Sequence, residues 1–294
     1  MLRKQPSIIA VGVFDGLHLG HQALIYRLVD EARERSLRPV VITFSSHPGF
    51  VLGRRSAEMW LDEEQERVGL LREMGVEEVV VMDFTPKVSD LSACEFVEKV
   101  LVPHYGMQAL LLGYDTRFGN RSRDDFDQLP QLAERLGLDL VHDQAILQGL
   151  QPISSTRIRA ALNEGDMVEA ESLFGRPYSL FGRVVEGRKV GRLIGFPTAN
   201  VDLSQCRKLV PKEGVYAVTL RCNGGQWKGM ANLGSQPTFG LERPVLEVHL
   251  LDFNGDLYGQ QVEVLFLRRL RDIVRFASRE ALIAQLNKDK ESLL

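Results

Sequence analysis

Apolar residues in the first part of the chain come in short continuous blocks, at Ile8–Phe14, Val40–Phe44, Val79–Phe84 and Ala109–Leu112. Blocks of this kind, bounded by polar and turn residues, read as strands buried on both faces, the pattern of a parallel sheet. Between them, His21–Arg35, Glu63–Met74 and Cys94–Val102 space their apolar residues at close to the helical period. Alternation of strand and helix predicts a Rossmann-like, doubly wound α/β/α domain. Ligands of such a sheet gather at the carboxyl ends of its strands, where the helix N-termini also point.

The texture changes near Gly175-Arg176-Pro177-Tyr178. Short strand-like runs follow at Ser179–Val185, Val215–Arg221, Val245–Phe253 and Gln261–Phe266, separated by turns such as Asn223-Gly224-Gly225 and Asn254-Gly255-Asp256. Runs and turns at this spacing predict an antiparallel barrel or sandwich. From Ser278 the helical period returns, with Leu282, Ile283, Leu286 and Leu293. Two domains are therefore expected, 1–178 and 179–294, linked through the helical stretch Ser154–Phe174.

Composition narrows the function classes. With 294 residues, 44% hydrophobic and 26% charged, the chain is long and apolar enough for two packed cores and is not predominantly disordered. No apolar run approaches the roughly 18 residues of a membrane helix, and the N-terminal residues carry no signal-peptide pattern. Cys94, Cys206 and Cys222 are scattered and odd in number, which disfavours a disulfide scaffold or zinc ribbon and suits a reducing cytoplasm. A net charge of −3 argues against a dedicated nucleic-acid binder. The charge is divided unevenly: from Phe181 onward 17 Lys and Arg stand against 12 Asp and Glu, while the preceding residues carry −8. The later excess of positive charge suits polyphosphate ligands.

Two motifs carry chemistry. The first, Gly12-Val13-Phe14-Asp15-Gly16-Leu17-His18-Leu19-Gly20-His21, leaves the first strand and opens the first helix. Its glycines allow backbone to approach a phosphate, and His18 and His21, three apart, can face one anion site. A bare H-x-x-H would be unremarkable at a surface or cap, but the whole string resembles the signature of the nucleotidylyltransferase superfamily. That resemblance implies that Gly12, Phe14, Asp15, Gly16, His18 and His21 bind ATP, with the histidines stabilising the α-phosphate and the leaving pyrophosphate. Ile153-Ser154-Ser155-Thr156-Arg157-Ile158-Arg159, which alone would be a helix cap, looks like the same superfamily's closing motif. It adds Ser155, Thr156 and Arg159 as phosphate ligands. Thr43-Phe44-Ser45-Ser46-His47-Pro48 and Gly113-Tyr114-Asp115-Thr116-Arg117-Phe118-Gly119 resemble further elements of the family and offer His47 and Asp115 as FMN contacts. Ser46, Thr116 and Asp124 depart from the family pattern there, and a turn role is an equally good reading of His47.

The second motif, Gly191-Arg192-Leu193-Ile194-Gly195-Phe196-Pro197-Thr198-Ala199-Asn200, is neither a Walker A loop nor a dinucleotide fingerprint. It resembles the riboflavin kinase family, which implies that Gly191 and Gly195 cover ATP while Thr198 and Asn200 hold Mg²⁺ and phosphate. Asn232-Leu233-Gly234 with Pro237-Thr238-Phe239, and Glu247-Val248-His249-Leu250, match in order. An alcohol attacking a γ-phosphate must lose a proton, and Glu247 is the base that the resemblance implies. Glu247 alone would pass for a solvated strand residue. His249 reads as structural, and the basic run Arg268, Arg269, Arg271 and Arg275 as a solvated face.

Together the two resemblances span Ile8 to Asp289 and identify the chain as a member of the prokaryotic bifunctional riboflavin kinase/FAD synthetase family. The expectation is that riboflavin and ATP give FMN in the C-terminal domain, and that FMN and a second ATP give FAD in the N-terminal one, both with Mg²⁺. No nucleic-acid or membrane partner is expected, and the oligomeric state is left open. The alternative is a riboflavin kinase with a silent nucleotidylyltransferase domain, motivated by Ser46, Thr116 and Asp124. A nucleotidylyltransferase for another metabolite would leave the second motif unexplained, and a flavin-sensing regulator would not need Glu247.

Overall fold

Val, Ile and Leu fill both faces of the early strands, so these strands are stable only in the middle of a layered sheet. A computed structural model gives the structure of the chain and describes residues 5–51, 59–114, 116–123, 125–144, 146–149, 151–187, 190–235 and 244–293. The chain divides into two compact units, Met1–Ser155 and Thr156–Leu294.

In the first unit β1 (Ser7–Val11), β2 (Arg38–Phe44), β3 (Glu78–Met82), β4 (Met107–Leu112) and β5 (Asp139–His142) form a parallel sheet in the order β3-β2-β1-β4-β5. Ile8, Ala10, Val41 and Leu111 pack against Leu24, Ile25 and Leu28 of the helix Leu19–Arg35 and Leu71 of the helix Glu64–Glu73. Ile9, Val11, Ile42 and Leu110 face the other way, onto Phe96, Val97, Leu101 and Leu132. The strand order reverses between β1 and β4, so the loop that follows β1 lies at the topological switch point. Two details differ from the pattern. β5 has one buried residue and polar ends, as an edge strand does, and the apolar pattern missed it. The helical stretch beginning at Ala93 runs on to Tyr105 through a π-helical turn at Val97–Leu101, then stops at Gly106, whose φ is +66°. A small antiparallel pair, β6 (Leu147–Gln148) and β7 (Gln151–Pro152), precedes Ile153.

The helix Ser155–Glu164 begins at the last residue of the first unit, and with the helix Met167–Phe174 it leads into β8 (Tyr178–Val185) of the second. β9 (Ala199–Asp202), β10 (Gly214–Cys222), β11 (Gly225–Ser235), β12 (Pro244–Leu250) and β13 (Gln261–Arg271) complete a closed antiparallel barrel in the order β10-β11-β12-β9-β8-β13. This resolves the barrel-or-sandwich alternative. Alternate residues of four strands fill the barrel core: Tyr216, Val218 and Leu220, Ala231 and Leu233, Leu246 and Val248, Val264 and Phe266 are all buried. β10 and β11 are joined at Asn223-Gly224, both at positive φ, as a two-residue hairpin turn requires. β9 and β11 had no clear strand pattern, the first because it is four residues long, the second because glycines interrupt it. The last helix is Arg279–Glu291, capped by Ser278, whose side chain accepts the Ala281 N–H.

Candidate functional site

Each unit carries one constellation. In the first, the chain leaves β1 through a loop in which Phe14, Gly16 and Leu17 all have positive φ (52°, 84° and 39°). Left-handed backbone is free for glycine, but costs other residues about 1–2 kcal/mol each, so this loop persists only because its surroundings hold it. Thr43 Oγ1 donates to Val13 O at 2.9 Å, and Ser155 Oγ donates to Asp15 O at 2.9 Å. Asp15, 2% exposed, turns its carboxylate inward to accept the Leu61 N–H at 2.8 Å. The Gly16 N–H donates to Asp62 Oδ2 at 2.9 Å.

The loop delivers the two histidines to the start of the helix Leu19–Arg35. His18 is its N-cap, its Nδ1 accepting the His21 N–H at 3.2 Å. An accepting Nδ1 places the proton of the neutral ring on Nε2. The two imidazoles stack with centroids 3.6 Å apart, and the Phe14 ring meets His21 edge-on at 5.4 Å. Gly20 leaves room for this stack, since a Cβ there would lie 3.2 Å from the His18 ring. Burial, then the neighbouring His18, then Arg67 push the His21 pKa well below the ordinary histidine range. His21 is therefore neutral at pH 7, and its buried Nδ1 has no hydrogen-bond partner among the described residues. A buried polar atom of this kind at a helix N-terminus, beside stacked imidazoles, suits a polar ligand such as an anion.

Gly12, Phe14, Asp15, Gly16, His18, His21 and Ser155 thus meet around one loop. Thr156 and Arg159 follow Ser155 on the first turns of the helix Ser155–Glu164. His47 Nδ1 accepts the Gly49 N–H at 2.9 Å, and its ring lies 5.7 Å from Trp60. This is turn-forming geometry. Asp115, Asp124 and Pro237–Phe239 lie outside the described residues.

The second constellation lines a cavity of about 430 Å³. Because Leu246 and Val248 fill the barrel, Glu247 and His249 project from its other face. Strand register then does what the linear sequence does not. Asn200 on β9, Glu247 on β12 and Asn232 on β11 lie directly opposite one another, and the row continues through Val215 to Arg271 on β13. All five line the cavity with Thr198 and Gly191, opposite an apolar wall that includes Ile194, Phe276, Leu282 and Leu286. The loop that carries the second motif closes on Gly191: its carbonyl accepts the Phe196 N–H at 2.9 Å, and a Cβ there would lie 2.1 Å from Phe196 O. At Gly187 a Cβ would lie 2.1 Å from Asn200 Nδ2. Gly195 has φ +83°. His249 Nδ1 lies 2.8 Å from Pro197 O, and since a carbonyl only accepts, Nδ1 carries the proton. Burial lowers the His249 pKa, Lys290 adding to the effect and the Pro197 bond opposing it.

The basic run is not a uniform solvated face. Arg271 Nε lies 3.1 and 3.0 Å from the two carboxylate oxygens of Asp289, and Nη2 lies 2.8 Å from Oδ2. This clamps the last helix to β13. Arg271 is a wall residue of the cavity and not the solvated-face residue that the basic run suggested, and only closure of the barrel places it in the same row as Glu247.

Known proteins agree with this division. A family profile described as FAD synthetase matches residues 2–157, and one described as riboflavin kinase matches residues 174–294. The bifunctional riboflavin kinase/FMN adenylyltransferase of Haemophilus influenzae is 38% identical, over 98% of this chain and 93% of its own. The proteins of that name from Escherichia coli K12 and Bacillus subtilis are 39% and 34% identical, over 98% and 99% of this chain and 91% and 92% of their own. A crystal structure described as a macrolide-efflux protein from Streptococcus pneumoniae is 33% identical, with a TM-score of 0.91 over 98% of this chain and 94% of that one. Among the described residues here, no helix is long and apolar enough to cross a membrane. Matched at both ends by the two profiles and along nearly all its length by these relatives, the chain belongs to the bifunctional riboflavin kinase/FMN adenylyltransferase family.

Proposed function

We propose that the chain makes FAD in two steps, phosphorylating riboflavin with ATP in the second unit and adenylylating the resulting FMN with ATP in the first. The observation that carries this reading is that each motif set folds into a site of the right chemistry within its own part of the chain. Relatives named for both activities match nearly the full length, so a silent first unit is not favoured.

In the kinase step the ribityl 5′-hydroxyl attacks the γ-phosphorus, its proton passes to the Glu247 carboxylate, and ADP leaves. The register row supports Glu247 in this role, because it sets the carboxylate between two amides that can orient it and a bound hydroxyl. Thr198 and Asn200 offer the oxygen donors that Mg²⁺ prefers, and the ion when bound would neutralise phosphate charge. Gly191 and Gly195 let the loop lie close over the nucleotide. The apolar wall suits a planar flavin ring.

In the adenylyl step an FMN phosphate oxygen attacks the ATP α-phosphorus and pyrophosphate leaves. That oxygen is already anionic at pH 7, so alignment and charge stabilisation replace a base. We assign His18 and His21, with the loop from Gly12 through Phe14, Asp15 and Gly16, to the ATP phosphates, together with Ser155, Thr156 and Arg159. Asp15 and Gly16 serve by shaping the loop, since their side chain and N–H are turned to Leu61 and Asp62. His47 and Asp115 remain our candidates for FMN contact, 1–178 and 179–294 our domain assignment, and the cytoplasm our assigned location.

The test is chromatographic: protein with riboflavin, excess ATP and Mg²⁺, following riboflavin, FMN and FAD over time. FMN should rise and then give way to FAD. Glu247→Gln should abolish FMN formation yet convert supplied FMN to FAD, and His21→Ala should do the reverse. Near wild-type phosphorylation by the Glu247 variant would remove it as the base.

A further inference from the structure

The loop of the first site rests on a buried ion pair that none of its motif residues supplies. Arg67, on the helix Glu64–Glu73, and Asp62, just before it, have side chains 1% and 0% exposed, with Nη1 2.7 Å from Oδ1. The second carboxylate oxygen of Asp62 accepts the Gly16 N–H, while Asp15 accepts the Leu61 N–H in return. The two segments therefore exchange side-chain-to-backbone hydrogen bonds across the loop, at the residue of highest φ. Arg67 is fixed in turn: Nη2 donates to Phe44 O at 3.2 Å, and the guanidinium lies 4.5 Å from the Trp60 ring centre. One side of the pair grips the strained backbone, and the other grips the end of β2 and the Trp60 ring.

We propose that Asp62 and Arg67 are the positioning pair of the first site, holding the left-handed loop Phe14–Leu17 so that His18 and His21 are stacked in place before ATP arrives. The proposal rests on the assignment of this loop to adenylyl transfer. Both side chains are buried; they act through the Gly16 amide and the backbone that follows it, with the Arg67 charge also bearing on His21. A carboxylate is required at Asp62 because two donors must be met from opposite oxygens, the Gly16 N–H and the Arg67 guanidinium. Its charge is tolerable in the interior only because Arg67 matches it.

The experiment compares wild type with the double variant Asp62→Leu/Arg67→Met in the full chain. Replacing both charges with apolar residues of similar shape leaves no unpaired ion, which favours retention of the fold, but the Gly16 N–H loses the Asp62 carboxylate. The expected result is a kcat for FMN adenylylation lower by roughly ten- to a hundred-fold, with KM for ATP changed much less. The deficit persists on cooling, riboflavin phosphorylation by the same chain is unaffected, and amide hydrogen exchange at Gly16 accelerates. Asp62→Ala/Arg67→Met, which also removes both charges and the Asp62 acceptor, is read in the same way if the first double variant does not fold. Wild-type kcat in a variant whose Gly16 amide exchanges freely would overturn the proposal, as would a deficit that disappears on cooling together with a lowered melting temperature. Wild-type protein that converts no FMN to FAD would sink the functional reading instead, and Gly16 exchange alone would then decide whether the pair holds the loop.

Discussion

The helix Arg279–Glu291 depends on one charged residue. Asp289 is its only fully buried side chain, 5% exposed, while Leu282 and Leu286 are only partly covered. Asp289 accepts from Arg271 through both carboxylate oxygens and from Gln285 Nε2 at 2.7 Å. Asp289→Ala strips Arg271 of its counter-charge in the cavity wall. Breaking a fully buried pair on one side costs about 3–5 kcal/mol, but the Arg271 side chain is 19% exposed and regains some water, so about 2–3 kcal/mol is expected. For a unit of this size that lowers the melting temperature by roughly 8–12 °C. Trp60 and Trp227 are the chain's only tryptophans, one in each unit, so Trp227 fluorescence in a Trp60→Phe background follows the second unit separately. Asp289→Asn should fall between Ala and wild type. The double variant Arg271→Met/Asp289→Leu should regain most of the stability, because no unpaired charge remains, yet should still be impaired in riboflavin phosphorylation if the Arg271 wall contributes to the cavity. A shift under about 2 °C for Asp289→Ala would refute the reasoning and place the helix's anchorage in its apolar contacts.

Gly187→Ala should cripple riboflavin phosphorylation while leaving adenylyl transfer from supplied FMN intact, since the new methyl would occupy the space of the Asn200 amide. A mild effect, read by separate assays of the two steps, would show that Asn200 relocates at little cost. The lowered His21 pKa makes a pH prediction. Between that lowered value and 6.5 the unfolded chain binds a proton that the folded chain refuses, so this contribution to stability is complete above 6.5 and is lost as pH falls below it. His21→Gln should therefore flatten the acid limb of a denaturant-melt series for the first unit, and an unchanged limb would count against a buried neutral imidazole.

Local order was legible where one residue's neighbours in sequence decide its state. The Ile8–Phe14 block, the Gly12–His21 string and the amphipathic stretch after it pointed to β1, the turn and the helix without tertiary information, although the strand already ends at Val11, because sterics and hydrophobic period act over a few residues. Glycine at position 16 was legible in the same way, since it allows close approach of backbone, whereas Gly191 was assigned only through the resemblance of its motif. Resemblance of the motif strings added which reactions to expect. Asp62 and Arg67 were not legible, each sitting in an ordinary polar stretch, and Arg271 was misread as part of a solvated basic run, because nothing nearby in sequence distinguishes a buried charge from a solvated one.

Tertiary structure alone decided those residues. It set Asp62 beneath Gly16, 46 positions away, and paired it with Arg67. It closed the barrel so that Asn200, Glu247, Asn232 and Arg271 share one row, a relation that depends on strand register and on which strands are neighbours. The physical reason is that backbone preference is a property of short segments, whereas charge burial and convergence of polar groups depend on the dielectric and the partners that distant segments bring. Sequence determined the elements and the chemistry on offer; folding determined which charges were dry, which were paired, and which faced the cavity.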